Sequence, residues 1–190
     1  AEGLKAVFYQ VFVGVLMGIL LQIVNAALII GGQAVSASMG LSMANMVDPS
    51  MGNVPVIAQF FVICSTLIFL GLGGHVLVIS LLLESFELLP INSALDLQGL
   101  LKLTIEWSAM MFVGAILIGL PLMASLLFIN IGLGVITRTA PALNIFAVGF
   151  PAMILAGIVL LSLSMTSIGY RIQWLWQESF EIIGQALGIR

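Results

Sequence analysis

Long apolar runs divide the sequence into four segments that could each cross a membrane as a helix: residues 6–30, 54–83, 105–136 and 142–165. About 20 helical residues cross a bilayer core of about 30 Å. The second run would reach roughly 45 Å as one helix, so it is predicted to be tilted or to stand partly clear of lipid. The pattern therefore predicts an all-α integral membrane protein made of long, tilted and kinked helical hairpins.

Glycine and proline mark the predicted ends and bends of these helices. Gly31 and Gly32 are expected to end the first helix, and Pro121 is expected to kink the third. Residues 33–46 are too short and too polar to span, which predicts a re-entrant or interfacial helix. Residues 92–104 are predicted to form a short amphipathic connector.

Methionines recur around the turn that precedes the second run. Met39, Met43 and Met46 share one helical stripe with Val35. This stripe indicates either a packing face or, because thioethers are flexible, the lining of an adaptable constriction. Residues 47–53 then have the composition of a loop, and loop backbone survives at membrane depth only if it is buried in protein or lines a cavity.

Few polar side chains interrupt the apolar runs. Gln22 and Asn25 share a face and are expected to bond to a neighbouring helix or to face a wet cavity. The only histidine, His75, follows Gly73 and Gly74. We expect these three residues to lie in a helix–helix packing contact, with a proton relay as the alternative interpretation of His75.

The last helical segment, residues 172–189, has an amphipathic pattern that favours an element lying on the membrane surface. Glu106 and Trp107 begin the third run, where Trp107 is expected to be an interfacial anchor. Glu106 is expected at the same interface or in a contact with another subunit. One face of the last segment is apolar: Ile172, Leu175, Trp176, Phe180, Ile183 and Leu187.

Composition supports membrane insertion and narrows the function. Apolar residues make up 62% of the 190 residues and charged residues 7%, with a mean hydropathy of +1.27, whereas soluble chains carry about 25% charged residues. The five basic residues are scattered along the sequence and do not form a basic patch that could bind nucleic acid. The sequence has no Gly-x-Ser-x-Gly or His-Glu-x-x-His motif. It predicts no enzyme, no cofactor and no metal site.

Three stretches together resemble the FliR family of flagellar biosynthetic proteins, subunits of the flagellar type III export gate. Residues 39–52 read MGLSMANMVDPSMG, residues 84–90 read ESFELLP after the Gly74-His75 pair, and residues 132–151 read GLGVITRTAPALNIFAVGFP. The similarity covers nearly the whole chain. Because family members begin with a further apolar portion and this sequence begins without Met, we expect its natural start to be missing.

The resemblance implies a non-enzymatic subunit of the bacterial inner membrane, located in the flagellar basal body. A single copy would join several FliP and FliQ subunits in a pore that meets FlhB and exports unfolded flagellar proteins. Residues 1–103 would be a FliP-like part containing the pore loop. Residues 104–190 would be a FliQ-like hairpin with the amphipathic tail.

Residue roles also follow from the resemblance. Met39, Met43 and Met46 would form a Met-rich gate face, and the hairpin would turn at Arg138, Pro141 and Asn144. The loop near residues 47–53 would lie at the pore and help to close it through Val47, Asp48, Pro49, Met51, Gly52 and Asn53.

Two alternatives and one conflict stay open. The broken helices also suit a stand-alone transporter or channel, and the injectisome has a counterpart of the same gate subunit. The positive-inside rule places Lys5, Lys102, Arg171 and Arg190 in the cytoplasm. The resemblance instead places the Arg138 turn there, and we follow the resemblance because helices of a preassembled complex need not obey single-span topology.

Overall fold

The described chain is helical. A computed structural model describes residues 2–41, 56–88, 97–139 and 145–188, and no strand occurs within these ranges. This confirms the predicted all-α class. The helices are α1 (Glu2–Ser38), α2 (Val56–Gly71), α3 (Gly74–Leu88), α4 (Leu97–Ser108), α5 (Met110–Thr139) and α6 (Ile145–Ala186).

The helices α1, α2, α5 and α6 form a bundle, in which α1 and α5 run in the same direction. The indole Nε1 of Trp107, at the end of α4 just before α5, donates to the Leu20 carbonyl at 3.2 Å. In α5 itself, a Cβ on Gly114 would come within 3.0 Å of the Ala27 Cβ of α1. Further along both helices, Gly31 lies against the backbone of Ala115. The order of these contacts is the same in both helices, which makes α1 and α5 parallel neighbours.

The other two helices run antiparallel to this pair. Ser179 of α6 donates to the Leu20 carbonyl at 3.3 Å, while Gly157 lies beside Met39 at the opposite end of α1. Gly32 of α1 meets Ala58 near the start of α2. Helix α1 therefore ends, and α2 starts, at the end of the bundle where α5 ends and α6 begins.

The predicted break at Gly31 and Gly32 is wrong, because α1 continues through both residues to Ser38. A Cβ on Gly32 would stand 2.4 Å from the Cα of Ala58, and one on Gly31 would stand 3.1 Å from the carbonyl oxygen of Ala115. The missing side chains therefore let α2 and α5 cross α1 at close range, as small residues do between membrane helices.

The helix predicted from residue 54 to residue 83 is not continuous. It divides into α2 and α3, which differ in direction by 65°. Residues 97–104 of the predicted connector belong to the short helix α4, which continues to Ser108, while residues 92–96 lie outside the described ranges. The re-entrant helix predicted from residue 33 to residue 46 is also corrected, because residues 33–38 belong to α1.

The C-terminal segment belongs to the longest described helix rather than to a separate surface tail. Helix α6 has 42 residues, Ile145–Ala186, and includes most of the fourth predicted span. The apolar face predicted for its last part is real, since Ile172, Leu175 and Ile183 are fully buried. That face packs into the bundle core instead of resting on lipid.

The described residues include three helical segments long and apolar enough to cross a membrane. They are Val7–Ser38, Gln98–Ile136 and Gly149–Ala186. The bent pair Val56–Gly71 and Gly74–Glu87 makes a fourth if it is counted as one span. The core between them includes Val24, Leu28, Phe61, Ile118, Leu126, Ile172 and Leu175.

Candidate functional site

The bend between α2 and α3 is made by a glycine in the left-handed region. Gly73 has φ of +70°, which costs glycine little and other residues more. Its N–H donates to the Leu70 carbonyl at 3.0 Å, and its own carbonyl accepts from Val76 N–H at 2.9 Å. The backbone of Gly73 therefore forms hydrogen bonds both to the last turn of α2 and to the first turn of α3.

An aromatic cluster supports this bend from the bundle side. The Phe69 ring lies 4.6 Å from the Trp176 ring and 6.1 Å from the Phe180 ring, measured between centroids. A Cβ on Gly74 would approach the Phe69 ring to 2.5 Å. The absence of a side chain on Gly74 therefore leaves space for the Phe69 ring, which packs the end of α2 against Trp176 and Phe180 of α6.

His75 lies in the first turn of α3, directly after the bend. It is exposed, as are most large apolar side chains of α3. Within the single chain His75 is not in a helix interface, so its predicted packing role stays a prediction about assembly. The exposed apolar residues of α3 are Val76, Leu77, Ile79, Leu82, Leu83 and Phe86.

Met39 is the described member of the predicted Met-rich gate face. It follows α1 directly and is only 1% exposed. Its side chain lies on Gly157 of α6, where a Cβ would come within 2.4 Å of the Met39 Cε. Met43 and Met46 lie outside the described residues, as do the six residues of the predicted pore loop, Val47, Asp48, Pro49, Met51, Gly52 and Asn53.

The predicted hairpin turn is described at Arg138 alone, which is exposed in the last turn of α5. Pro141 and Asn144 fall outside the described residues. Helix α5 extends past the end of α1, since it continues from Gly119, beside Gly31, to Thr139. Beside the exposed Asn130 and Arg138, this extension exposes large apolar side chains: Leu127, Phe128, Ile131, Val135 and Ile136.

Buried polar contacts were missed by the sequence reasoning. Trp107 was expected at the membrane interface, but it is 5% exposed and its N–H is paired inside the bundle. The Trp176 indole N–H donates to the Ser65 hydroxyl at 2.8 Å, between α6 and α2. Helical periodicity marked Trp176 as apolar-facing, whereas nothing in the sequence pattern paired it with Ser65.

The other polar residues lie nearer the surface of the chain. Gln22 and Asn25 were expected to reach another helix or a cavity; instead, Asn25 Nδ2 donates to Gln22 Oε1 at 3.4 Å on their own helix. Glu106 is exposed and pairs with Lys102 at 3.8 Å. Within the described ranges, His, Cys, Asp and Glu side chains form no group of three that could hold a metal ion.

Comparison with known proteins places the chain in a family. Residues 3–179 match the family described as Bacterial export proteins, family 1. The flagellar biosynthetic protein FliR of Pectobacterium carotovorum subsp. carotovorum is 34% identical over 186 residues, covering 97% of this chain and 71% of that protein. The FliR of Escherichia coli K12 is 34% identical over 180 residues, covering 94% and 69%.

The similarity extends to a distant bacterium. The FliR of Bacillus subtilis 168 is 31% identical over 166 residues, covering 85% of this chain and 64% of that protein. The region matched by the family includes the bend at Gly73, the whole of α5 and most of α6. The chain therefore belongs to the bacterial export proteins, family 1, together with the flagellar biosynthetic proteins FliR.

Proposed function

We propose that this chain is a non-enzymatic subunit of the flagellar type III protein export gate in the bacterial inner membrane. With FliP and FliQ subunits, and in contact with FlhB, it forms the channel through which flagellar components leave the cell. The observation that carries the proposal is the family match over residues 3–179.

The surface of the chain supports assembly with other membrane subunits. Helix α3 is bent by 65° from the direction of α2 and exposes six large apolar side chains. On the N-terminal half of α1, a Cβ built on Gly14 or Gly18 would meet nothing within 4 Å. Small residues four apart allow another helix to approach closely in lipid, so this half of α1 suits packing against a partner subunit. Its exposed apolar residues are Leu4, Val7, Phe8, Val11, Val15 and Ile19.

The length of α6 supports the same proposal. Its 42 residues reach roughly 63 Å, about twice the thickness of a bilayer core. Its first part carries no charged residue, whereas Arg171, Glu178 and Glu181 lie in its last part. A helix of this kind fits an assembly in which part of the bundle stands clear of the lipid and is covered by protein.

The pore-closing role belongs to the connection between α1 and α2. The described residues on either side of that connection are Leu41 and Val56, and Phe150 near the start of α6 lies against Gly40. We assign closure to residues 47–53, with Met39, Met43 and Met46 at their N-terminal side.

The test of the assembly is the composition of the extracted complex. The full-length protein is extracted from its native membrane in mild detergent, and the mass and stoichiometry of what accompanies it are measured. One copy among several FliP and FliQ subunits supports the proposal. A symmetric homo-oligomer that moves a solute across liposomes contradicts it and favours a stand-alone transporter. Copurification with injectisome subunits would assign the chain to the virulence system.

The closing role has its own test. Deleting residues 51–53 should leave the complex assembled and make cells leak small solutes, because the shortened connection no longer fills the pore. Complex yield measured alongside conductance separates a leak from misassembly. Unchanged conductance in a normally assembled complex would remove residues 47–53 from the closure.

A further inference from the structure

A proline inside α5 leaves one backbone carbonyl of that helix without its usual hydrogen-bond donor. Pro121 lies well within this helix, Met110–Thr139. It has no N–H to donate to the carbonyl four residues earlier, and its ring crowds that same carbonyl. The carbonyl belongs to Leu117. In an apolar environment such a group has to find a partner on a neighbouring helix or in water.

Arg171 of α6 provides that partner. Its Nη1 donates to the Leu117 carbonyl oxygen, across the contact between α5 and α6. Arg171 is the only charged residue between Arg138 and Glu178, and it follows the long uncharged part of α6. It is half-buried, and its neighbours Ile168 and Ile172 are fully buried. The guanidinium therefore lies at the exposed edge of the contact between α5 and α6, with one donor directed at the carbonyl that Pro121 leaves free.

We propose that Arg171 is a positioning residue that stands in for the missing N–H of Pro121 and fixes the register of α6 against α5. Apolar contacts alone specify register weakly, because similar side chains recur at each turn. A hydrogen bond to one particular carbonyl is satisfied at one register, and slipping by a turn of about 5.4 Å breaks it. The proline determines which carbonyl is free, and the arginine binds that carbonyl.

The hydrogen bond from Arg171 to the Leu117 carbonyl also sets the position of contacts towards both ends of α6. Towards its C-terminus, Leu175 packs within 3.1 Å of a Cβ built on Gly114, and Ser179 reaches the Leu20 carbonyl. Towards its N-terminus, Gly157 receives the Met39 side chain. A shift of α6 by one turn would misplace all three contacts. The inference holds for the chain itself and does not depend on the proposed function.

The test is whether the effect of losing Arg171 depends on Pro121. Arg171→Ala, Pro121→Ala and the double variant are made in the full-length protein, and thermal unfolding is followed in mild detergent. Arg171→Ala should lower the melting temperature by about 5 °C, since it strands a carbonyl that had a charged donor. In the Pro121→Ala background the substituted alanine supplies a backbone N–H to the Leu117 carbonyl. There the same change should lower the melting temperature by about 1 °C or less.

Two matched controls separate this coupling from general effects. Pro151 is the other helix-interior proline of the described residues, and Pro151→Ala should leave the cost of Arg171→Ala unchanged. Arg138→Ala removes an equal charge from the exposed end of α5 and should show no dependence on Pro121. An equal loss for Arg171→Ala in both Pro121 backgrounds, or no loss in either, overturns the proposal.

A second measurement serves if a variant does not fold. Three arginines are present, Arg138, Arg171 and Arg190, so guanidinium signals in nitrogen-15 spectra of the native full-length protein can be assigned by Arg171→Lys. The Arg171 signal should show restricted rotation and slow exchange relative to that of Arg138. Equal, fast rotation for both contradicts a fixed bond to the Leu117 carbonyl.

Discussion

Helices α2 and α3 are two halves of one apolar run, but among the described residues only α2 contributes fully buried apolar side chains to the core. They have 16 and 15 residues and are separated by Leu72 and Gly73. In α2 the residues Ala58, Phe61 and Ser65 are fully buried, although its other faces also expose apolar side chains. In α3 the large apolar side chains that the structure describes are exposed or only partly buried. Apolar composition places both in a membrane assembly, but it does not decide which half packs inside its own chain.

Two features found in α2 but not in α3 explain the difference. Helix α2 meets a glycine on the neighbouring helix, so that the backbones of Gly32 and Ala58 come close together. It also carries a buried hydroxyl, Ser65, that satisfies an indole N–H of α6. Helix α3 has neither feature within the described chain. Its exposed apolar surface is therefore, like the N-terminal half of α1, a candidate for a contact with another subunit.

The largest effect on stability is expected from adding a side chain at Gly32, where α1 and α2 are in close contact. Gly32→Val places side-chain atoms where the backbone of Ala58 lies, 2.4 Å from the built Cβ. Because backbone cannot move aside as a side chain can, we expect a loss of about 3 kcal/mol in unfolding free energy and detachment of α2. Reversible denaturant unfolding in detergent micelles measures it. Gly169→Ala, at a site where a Cβ would meet nothing within 4 Å, is the control and should cost nothing.

The next effect tests the buried polar contact of α2. Ser65→Ala leaves the Trp176 N–H without its acceptor in a fully buried site, which should cost about 2 kcal/mol. Trp176 fluorescence, read in variants that lack the other tryptophans, should also change. Ser80→Ala in α3 removes a hydroxyl that bonds to its own helix at Leu77. If both serine variants cost the same, the proposed difference between the two helices is wrong.

A smaller effect is expected at the bend that separates the two helices. Gly73 has φ of +70°, so Gly73→Ala should cost about 1 kcal/mol or straighten the junction. Gly73→Asn should retain more of the bend, because asparagine tolerates the left-handed region. The distance between spin labels on α2 and α3 reports the angle of 65°. An unchanged distance and stability in Gly73→Ala would show that the glycine does not set the bend.

Sequence patterns predicted the helical class, the long apolar segments and the apolar face of the last segment. They failed where packing overrides local propensity. Gly31 and Gly32 have the pattern of a helix end, but tertiary contacts with α2 and α5 keep the helix intact across them. Gly73 and Gly74, in the next apolar run, do divide a helix. Local sequence cannot distinguish the two pairs, because the difference lies in what each glycine faces.

The sequence also did not predict which residues form hydrogen bonds between helices of the bundle. Trp107 had the position and composition of an interfacial anchor, and its bond to the Leu20 carbonyl joins residues far apart in the chain. The candidate pore-loop residues, with Met43 and Met46, lie outside the described ranges, so their roles stay predictions from the resemblance. The exposed surface of α3 could not have been foreseen, since its residues have the same apolar character as those of α2.

The smallest effect on stability is expected for a substitution in α3. The same substitution gives the most direct test of the difference between α2 and α3. Leu83 is 63% exposed, so Leu83→Gln should change the unfolding free energy of the isolated chain by less than about 0.5 kcal/mol. Leu28→Gln, at a fully buried site of α1, is the matched control and should be strongly destabilising. The same Leu83→Gln variant should lower recovery of the multisubunit complex from membranes, because it places an amide in an apolar contact. Normal recovery of the complex would mean that this face of α3 meets lipid rather than another subunit.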